Sequence, residues 1–441
     1  MGYAQYKELD SSGVAWLGQK PTHWRIKKLK FATDLINSKV SVEESSLPYL
    51  GLEHIESWTG RKIDGEISNS EGLASSFTAG DVLFGKLRPY LAKVHLAQQD
   101  GLISSEALVV RSKDELSAKF LKYHMLSRDF INIVDSSTYG SKMPRASWDF
   151  IGNLPVLLPD LEEQKTIGHF LDFKTAQIDA LIAKKKALLH KLTDKRTALI
   201  SHAVTKGLDQ SVPMKSSGVE WIGDIPRHWS IRRVKFAAKL ESGHTPSKQV
   251  PEYWEDCDIP WVSLNDSKQL ASVDYISETA IQINSLGLAN SSARLLPANA
   301  VVFTRDATIG LCAITTRPMA VSQHLIAWIP GLDINSLYLL RVFSAMKGFL
   351  DSFTFGATIK TIGMPDVKRL TMPIPPKDEQ KAITAFIDEQ FRTISPQIRT
   401  IETAIDKLTE YRSALITGAV TGKIDVRGFE IPQPPEGGGH K

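Results

Sequence analysis

The sequence predicts a mixed α/β chain: two globular α/β domains separated by two long antiparallel coiled-coil helices and related by an internal pseudo-twofold repeat. Three observations predict it. Residues 11–32, SSGVAWLGQKPTHWRIKKLKFA, return at 216–237 as SSGVEWIGDIPRHWSIRRVKFA, with 13 of 22 positions identical. Residues 191–205, KLTDKRTALISHAVT, return at 407–421 as KLTEYRSALITGAVT, with 10 of 15 identical. Between these blocks, residues 33–153 and 238–369 no longer align easily. A duplicated frame around two unlike inserts describes a molecule that presents two different surfaces in one fixed geometry.

The long helices come first in the argument because their signals are strongest. Pro159-Asp160-Leu161-Glu162-Glu163-Gln164 and Pro375-Pro376-Lys377-Asp378-Glu379-Gln380 place prolines before acidic residues, a pattern suited to a first helical turn. A seven-residue beat follows: Leu171, Ile178, Lys185, Leu192, Leu199 in one copy and Ile387, Ile394, Ile401, Leu408, Leu415 in the other. Such spacing keeps one seam facing a partner helix. Some 40 residues of helix reach roughly 60 Å, and one apolar seam of that length needs a partner. An intermolecular coiled coil is the alternative, but equal lengths and phases in the two copies favour the duplicate as partner, packed antiparallel. Pro396 falls inside the second copy and is expected to kink or break it.

The two inserts read as mixed α/β. DVLFGKL, AKVHLA and EALVVRS look like strands, followed by one helix through about 116–134. AVVFTRD, LCAITT and QHLIAWI repeat that order, with a helix through about 335–352. A faint echo links Pro48-Tyr49-Leu50 to Pro260-Trp261-Val262, and Ser105-Glu106 to Ser322-Gln323. The predicted boundaries are therefore a first domain with its frame segment at 1–153, and a first long helix with linker at 154–215. A second domain follows at 216–369 and a second long helix at 370–425. A disordered tail over 426–441 ends in the Pro/Gly-rich IPQPPEGGGHK.

Composition excludes some classes. Hydrophobic content of 42% and charged content of 23% over 441 residues suit a globular protein. No apolar run approaches the roughly 20 residues that span a bilayer, and MGYAQYKELDSSG lacks a signal-peptide pattern, so a cytoplasmic location is expected. Cys257 and Cys312 lack metal-ligand spacing and read as free buried thiols.

Catalysis also lacks its motifs. An adenine methyltransferase needs a Gly-rich cofactor turn and an Asn/Asp-Pro-Pro-aromatic loop, and neither occurs in the sequence. GxxxxGK[ST] is absent too. The acidic cluster Asp160 and Glu163 could suggest a nuclease, but metal-dependent cleavage needs carboxylates converging from separate elements. Here they crowd one helix start, and Asp378 and Glu379 repeat the arrangement. No metal site and no catalytic residue is predicted. Trp16, Trp24, Trp221 and Trp229, with His23 and His228, occupy identical places in the shared frame. Residues that read different targets should differ, so these are expected to be packing anchors.

The order of frame segment, variable domain and Pro-then-Glu-Gln-Lys helix, given twice, resembles the specificity (S) subunit of Type I restriction–modification enzymes. The resemblance covers about residues 11–425. It rests on SGVxWxGxxPxHW given twice and on Glu163-Gln164-Lys165 and Glu379-Gln380-Lys381. The blocks LFGKLRPYLAKV (83–94) and IKTIGMPDV (359–367) add to it. It implies a non-catalytic DNA-specificity subunit with two target-recognition domains, each reading one half of an asymmetric, bipartite site in double-stranded DNA. The paired helices would act as a ruler between the halves. Two modification subunits, N6-adenine methyltransferases, would dock on the repeated frame, and ATP-hydrolysing restriction subunits would join them. The resemblance implies that S-adenosylmethionine, ATP and Mg belong to those partners and that this chain binds no cofactor. A protein-binding scaffold with two divergent interaction domains is the alternative.

Base-reading residues are expected in the unlike regions. The first insert offers Lys86, Arg88 and Tyr90 in FGKLRPY, and Lys142 and Arg145 in SSTYGSKMPRASW. The second offers His244, Thr245, Ser247 and Lys248 in GHTPSK, Arg305 in FTRDATIG and Lys360 in GATIKTIG. Arg and Lys suit guanine edges, while Lys, Ser and Thr suit phosphates. Residues 33–153 carry 13 Lys/Arg against 16 Asp/Glu, net −3, and residues 238–369 carry 11 against 12, net −1. DNA contact by these inserts must therefore run through local basic loops and not a general field.

Overall fold

The computed structural model describes residues 3–65, 72–353 and 360–430. The chain divides into two compact units, one formed by residues 1–186 with 403–441 and the other by residues 187–402. Each draws on both long helices, Leu161–Lys206 and Lys377–Val420. The contiguous boundaries expected from the sequence differ from these units because the helices pair antiparallel. An early stretch of one helix folds with a late stretch of the other.

In the first unit a four-stranded antiparallel sheet runs in the order Thr33–Ile36, Ala107–Ser112, Val82–Gly85, Val94–Leu96. Strand Val82–Gly85 is buried on both faces, which explains its unbroken apolar reading. Val82 and Phe84 point into the core beneath helix Ala118–Leu126, while Leu83 points the other way with Val109, the alternation a pleated strand requires. A second sheet carries Lys39–Ser41, Leu73–Phe77, Gly101–Ile103 and Tyr49–Leu50, the last pair parallel. The expected single helix through 116–134 is two, Ala118–Leu126 and Arg128–Ser136. Ser127 has extended backbone angles, and its hydroxyl donates to the His124 carbonyl at 2.7 Å, which ends the first helix.

The second unit repeats the plan. Its main sheet orders Ala238–Ser242, Leu325–Pro330, Val301–Thr304, Cys312–Thr315 and Tyr275–Ile276. Val301 and Phe303 face one core, Val302 and Ala313 the other. Here the following helix, Ser336–Asp351, is unbroken and capped by Asn335. The second copy of the parallel pair is Trp261–Val262 against Ala320–Val321, so Tyr49 and Trp261 are equivalent. The Ser105-Glu106 echo is out by one residue. Ala107 N–H donates to the Ser104 carbonyl, and Leu325 N–H donates to that of Ser322, which aligns Glu106 with His324.

The first repeated block makes the same contacts in both units. Frame strand Arg25–Lys28 pairs with Pro155–Leu158, and Ser230–Arg233 pairs with Thr371–Ile374. Each paired strand leads into a long helix. His23 Nε2 lies 2.9 Å from Glu163, whose other carboxylate oxygen accepts the Tyr6 hydroxyl at 2.7 Å. His228 Nε2 lies 2.7 Å from Glu379, whose other oxygen accepts the Trp229 indole N–H at 2.8 Å. Asp160 caps its helix by accepting from the Glu163 N–H, so Glu163 is free to bind the frame. The Gln164 and Gln380 amides, both fully buried, each accept one loop N–H (Ser117, Asn335). Each also donates to two carbonyls, Glu115 and Pro159 in one copy, Asp333 and Pro375 in the other. Trp24 and Trp229 are buried in the two cores, with Trp16 and Trp221 packed on them.

Within the first unit Leu171 and Ile178 share a core with Leu415, Ile416 and Ala419, and Leu408 packs on it. Within the second, Ile200 and Val204 share one with Ile383, Ile387 and Phe391, with Leu199 against it. Ile394 and Ile401 are buried and Leu192 is half-buried. Pro396 lies inside the second long helix, which continues through it without a break. Residues 426–430 are not a disordered tail. Val426 is buried, and the Phe429 ring meets Phe170 edge-on at 5.0 Å. Asp425 bridges Ala4 and Arg427 covers the Tyr6 ring, so this segment folds back onto residues 4–6. The remainder of the expected tail, 431–441, lies outside the described residues. Cys312 is buried, its thiol pushed up to about 12 by desolvation, whereas Cys257 is only half-buried.

Candidate nucleic-acid interface

The candidate site is a backbone junction built twice. In the first unit, the turn after Val82–Gly85 meets the segment before Ala107–Ser112 and the loop 138–147. Lys86 N–H donates to the Glu106 carbonyl (2.9 Å), Ala146 N–H to the Lys86 carbonyl (3.0 Å) and Arg88 N–H to the Pro144 carbonyl (2.8 Å). In the second unit, Arg305 N–H donates to His324 (3.0 Å), Ile362 N–H to Arg305 (3.0 Å) and Ala307 N–H to Lys360 (2.9 Å). Leu87 bridges Arg145 as Asp306 bridges Thr361. Arg88 and Ala307 both sit at positive φ, 50° and 62°, a conformation costing about 1 kcal/mol for a residue with a Cβ. Its retention at both equivalent positions marks a geometry the fold preserves.

On this common backbone the side chains differ. In the first unit Arg145 grips Glu106 with two parallel bonds, Nε to Oε2 at 2.8 Å and Nη2 to Oε1 at 3.1 Å. The guanidinium holds the Glu106 carboxyl below the usual carboxylate range. Arg88, Tyr90 and Lys142 are exposed around this pair, and Lys86 is half-buried. In the second unit His324 Nδ1 lies 2.7 Å from Asp306 Oδ2, with Arg305 half-buried beside them and Lys360 exposed. Arg305 Nε and the second Asp306 oxygen, Oδ1, are buried without a hydrogen bond and form an ion pair with each other at 3.6 Å.

Of His244, Thr245, Ser247 and Lys248, His244 adjoins the junction through the backbone, and the other three follow it in the chain. Gly243 N–H donates to Leu325 and His244 N–H to Val321, flanking the segment that carries His324. Only glycine fits at 243, since a Cβ there would fall 2.0 Å from the Ser322 carbonyl oxygen. The Trp261 and Trp254 indoles donate to the His244 and Ser247 carbonyls, both at 3.1 Å. Lys248 then edges a cavity of about 460 Å³ with Pro251, Trp254, Glu255 and Ile281.

Of the first-unit candidates, Lys86, Arg88 and Arg145 belong to the junction backbone, and Tyr90 and Lys142 lie in the turn and loop that supply it. Of the second-unit candidates, Arg305 and Lys360 belong to the counterpart, His244 adjoins it, and Thr245, Ser247 and Lys248 lie further along the chain. Sequence reasoning missed Glu106, Asp306 and His324. The Ser-Glu echo pointed near the first, but its one-residue offset hid the match. A second feature was also missed. Phe31 and Phe236, identical in the two frame copies, are 58% and 66% exposed, each with a lysine ammonium over its ring. The two rings thus stand exposed at the same place in both copies of the frame.

Residues 58–191 and 226–404 match the family described as the Type I restriction modification DNA specificity domain. The MjaIX specificity subunit of Methanocaldococcus jannaschii is 30% identical over 168 residues, covering 38% of each chain. The HindI specificity subunit of Haemophilus influenzae is 22% identical over 426 residues, covering 81% of this chain and 90% of that one. The chain thus spans about two fifths of the length of one of these relatives and nine tenths of the other. A solved chain, from work on complex assembly and conformational transition of the type I R-M system, superposes with a TM-score of 0.62. It is 19% identical, with 91% of this chain and 98% of that one covered, which shows a shared fold. No described helix is long and apolar enough to cross a membrane.

Proposed function

The chain belongs to the Type I restriction-modification DNA specificity family, and from that premise we propose that its two junctions read the two halves of an asymmetric, split target in double-stranded DNA. It is the non-catalytic specificity subunit of such a system. The observation that carries the proposal is the junction itself: one hydrogen-bond pattern in both units, displaying Lys86, Glu106 and Arg145 in one and Arg305, His324 and Thr361 in the other. Equal backbones with unequal side chains suit equal docking on duplex DNA with unequal base contacts.

The partners follow from the duplication. A repeated surface suits two copies of one protein, and Phe31 and Phe236 are the proposed anchors for two modification subunits. Restriction subunits would join that complex. S-adenosylmethionine, ATP and Mg would be bound by those partners in the cytoplasm, with no cofactor held here. The long helices, shared by both units, would set the number of base pairs between the half-sites.

Mapping N6-methyladenine across the host genome with and without this gene tests the reading. Loss of one split, asymmetric motif is the expected result. An unchanged methylome would refute it.

A further inference from the structure

We infer that the Glu106–Arg145 and Asp306–His324 pairs are specificity-determining, each carboxylate positioning its partner to read one base edge in one half-site. The inference rests on the DNA-reading proposal and names the groups that perform it.

Three observations lead there. Glu106 and His324 are structurally equivalent, as their carbonyls accept from the equivalent Lys86 and Arg305 N–H groups. Each forms a charged or polar pair inside its own junction, but the partners come from different segments. Arg145 lies in the loop 138–147, whereas Asp306 lies in the turn after strand Val301–Thr304. The fold has thus met the same place with two different chemistries. Both reading groups stay accessible: the Arg145 side chain is 33% exposed and that of His324 is 42%, while Glu106 and Asp306 lie deeper at 27% and 13%.

The geometry fixes what each pair offers. Glu106 occupies the Nε and Nη2 side of the Arg145 guanidinium and Nη1 also reaches the Met143 carbonyl at 3.5 Å, which leaves one N–H on each of Nη1 and Nη2 as a two-donor fork. That fork matches the O6 and N7 acceptors of guanine. The Asp306 carboxylate only accepts, so His324 Nδ1 carries the proton between them. In the neutral ring, Nε2 is then an acceptor on a side chain that is 42% exposed. It matches an amino donor, adenine N6 or cytosine N4. Beside it, Asp306 Oδ1 lies 3.6 Å from Arg305 Nε, so the Arg305 guanidinium faces the other oxygen of the carboxylate that holds His324.

The test maps N6-methyladenine in the host carrying the wild-type gene, Glu106→Gln or Asp306→Asn, with the melting temperature of each purified chain measured alongside. Glu106→Gln is expected to lower discrimination at one base pair of one half-site by about tenfold and leave the other half unchanged. Asp306→Asn is expected to do the same to the opposite half. Complete loss of the motif with an unshifted melting temperature also supports the inference, since the folded chain would then have lost its reading group. Wild-type motifs in both variants would overturn it. So would a loss of the motif that tracks a collapsed melting temperature, which would make the pairs merely structural. If deleting the gene leaves the methylome unchanged, the DNA-reading proposal fails. If deletion removes the motif while neither substitution alters it, this inference alone fails.

Discussion

Arg412 of the second long helix clasps Asp179 of the first, Nε to Oδ1 at 2.8 Å and Nη2 to Oδ2 at 3.2 Å, with both side chains less than a tenth exposed. Its remaining Nη1 donates to the Trp58 carbonyl at 2.9 Å, so one guanidinium joins both helices to the α/β body of the first unit. Removing one partner from a buried pair strands the other charge, at a cost of about 3–5 kcal/mol. Asp179→Asn or Arg412→Met is expected to destabilise the chain by that order in urea titrations. Asp179→Leu combined with Arg412→Met should recover much of the loss, since no charge is then left buried alone. A double variant no better than the singles would contradict this reading.

Gln164 and Gln380 each satisfy one loop N–H and two carbonyls from a fully buried position. Either residue replaced by Leu leaves three backbone groups unpaired, each costing about 1–3 kcal/mol. The two variants are expected to lower the melting temperature by similar amounts, because the contacts are duplicated. Calorimetry of both checks the equivalence, and a large effect in only one copy would count against it.

Burial lowers the His124 pKa to about 4, with the ring packed against Phe130 at 5.2 Å. The folded state therefore resists protonation that the unfolded chain accepts near pH 6.5. Stability from this group is complete above about pH 6.5 and is lost as pH falls from there to about 4, an effect on the order of 3 kcal/mol. His124→Phe should flatten the stability profile across that window. A wild-type profile in the variant would assign the acid sensitivity to other groups.

Phe31 and Phe236 touch solvent in both frame copies. Replacing both with Ser should change folding stability by no more than about 0.5 kcal/mol, as expected for surface positions. The same change should sharply reduce co-purification of the modification subunit. Undiminished co-purification would place the docking surface elsewhere.

Much of this architecture was legible in the sequence because it rests on local signals. Strand Val82–Gly85 shows as an apolar run, the helix starts show as proline followed by carboxylates, and the seam shows as a seven-residue beat. What escaped depends on distant partners. Glu163 looked like a cap, but its carboxylate is drawn to Tyr6 and His23, more than a hundred residues away. The helix break at Ser127 turns on one hydroxyl reaching a carbonyl three residues back. The order of residues 426–430 comes from Phe170, which offers Phe429 a ring face. The candidate loops could be named from their basic residues. That Arg145 is gripped by Glu106, while Thr361 stands in its place in the second unit, required the folded backbone.

Exchanging residues 33–153 for the corresponding region of a related chain, and mapping the resulting N6-methyladenine motif, tests the central claim most directly. The account predicts a motif with one half-site replaced and the other kept base for base. A motif unchanged in both halves, or altered in both, would contradict it.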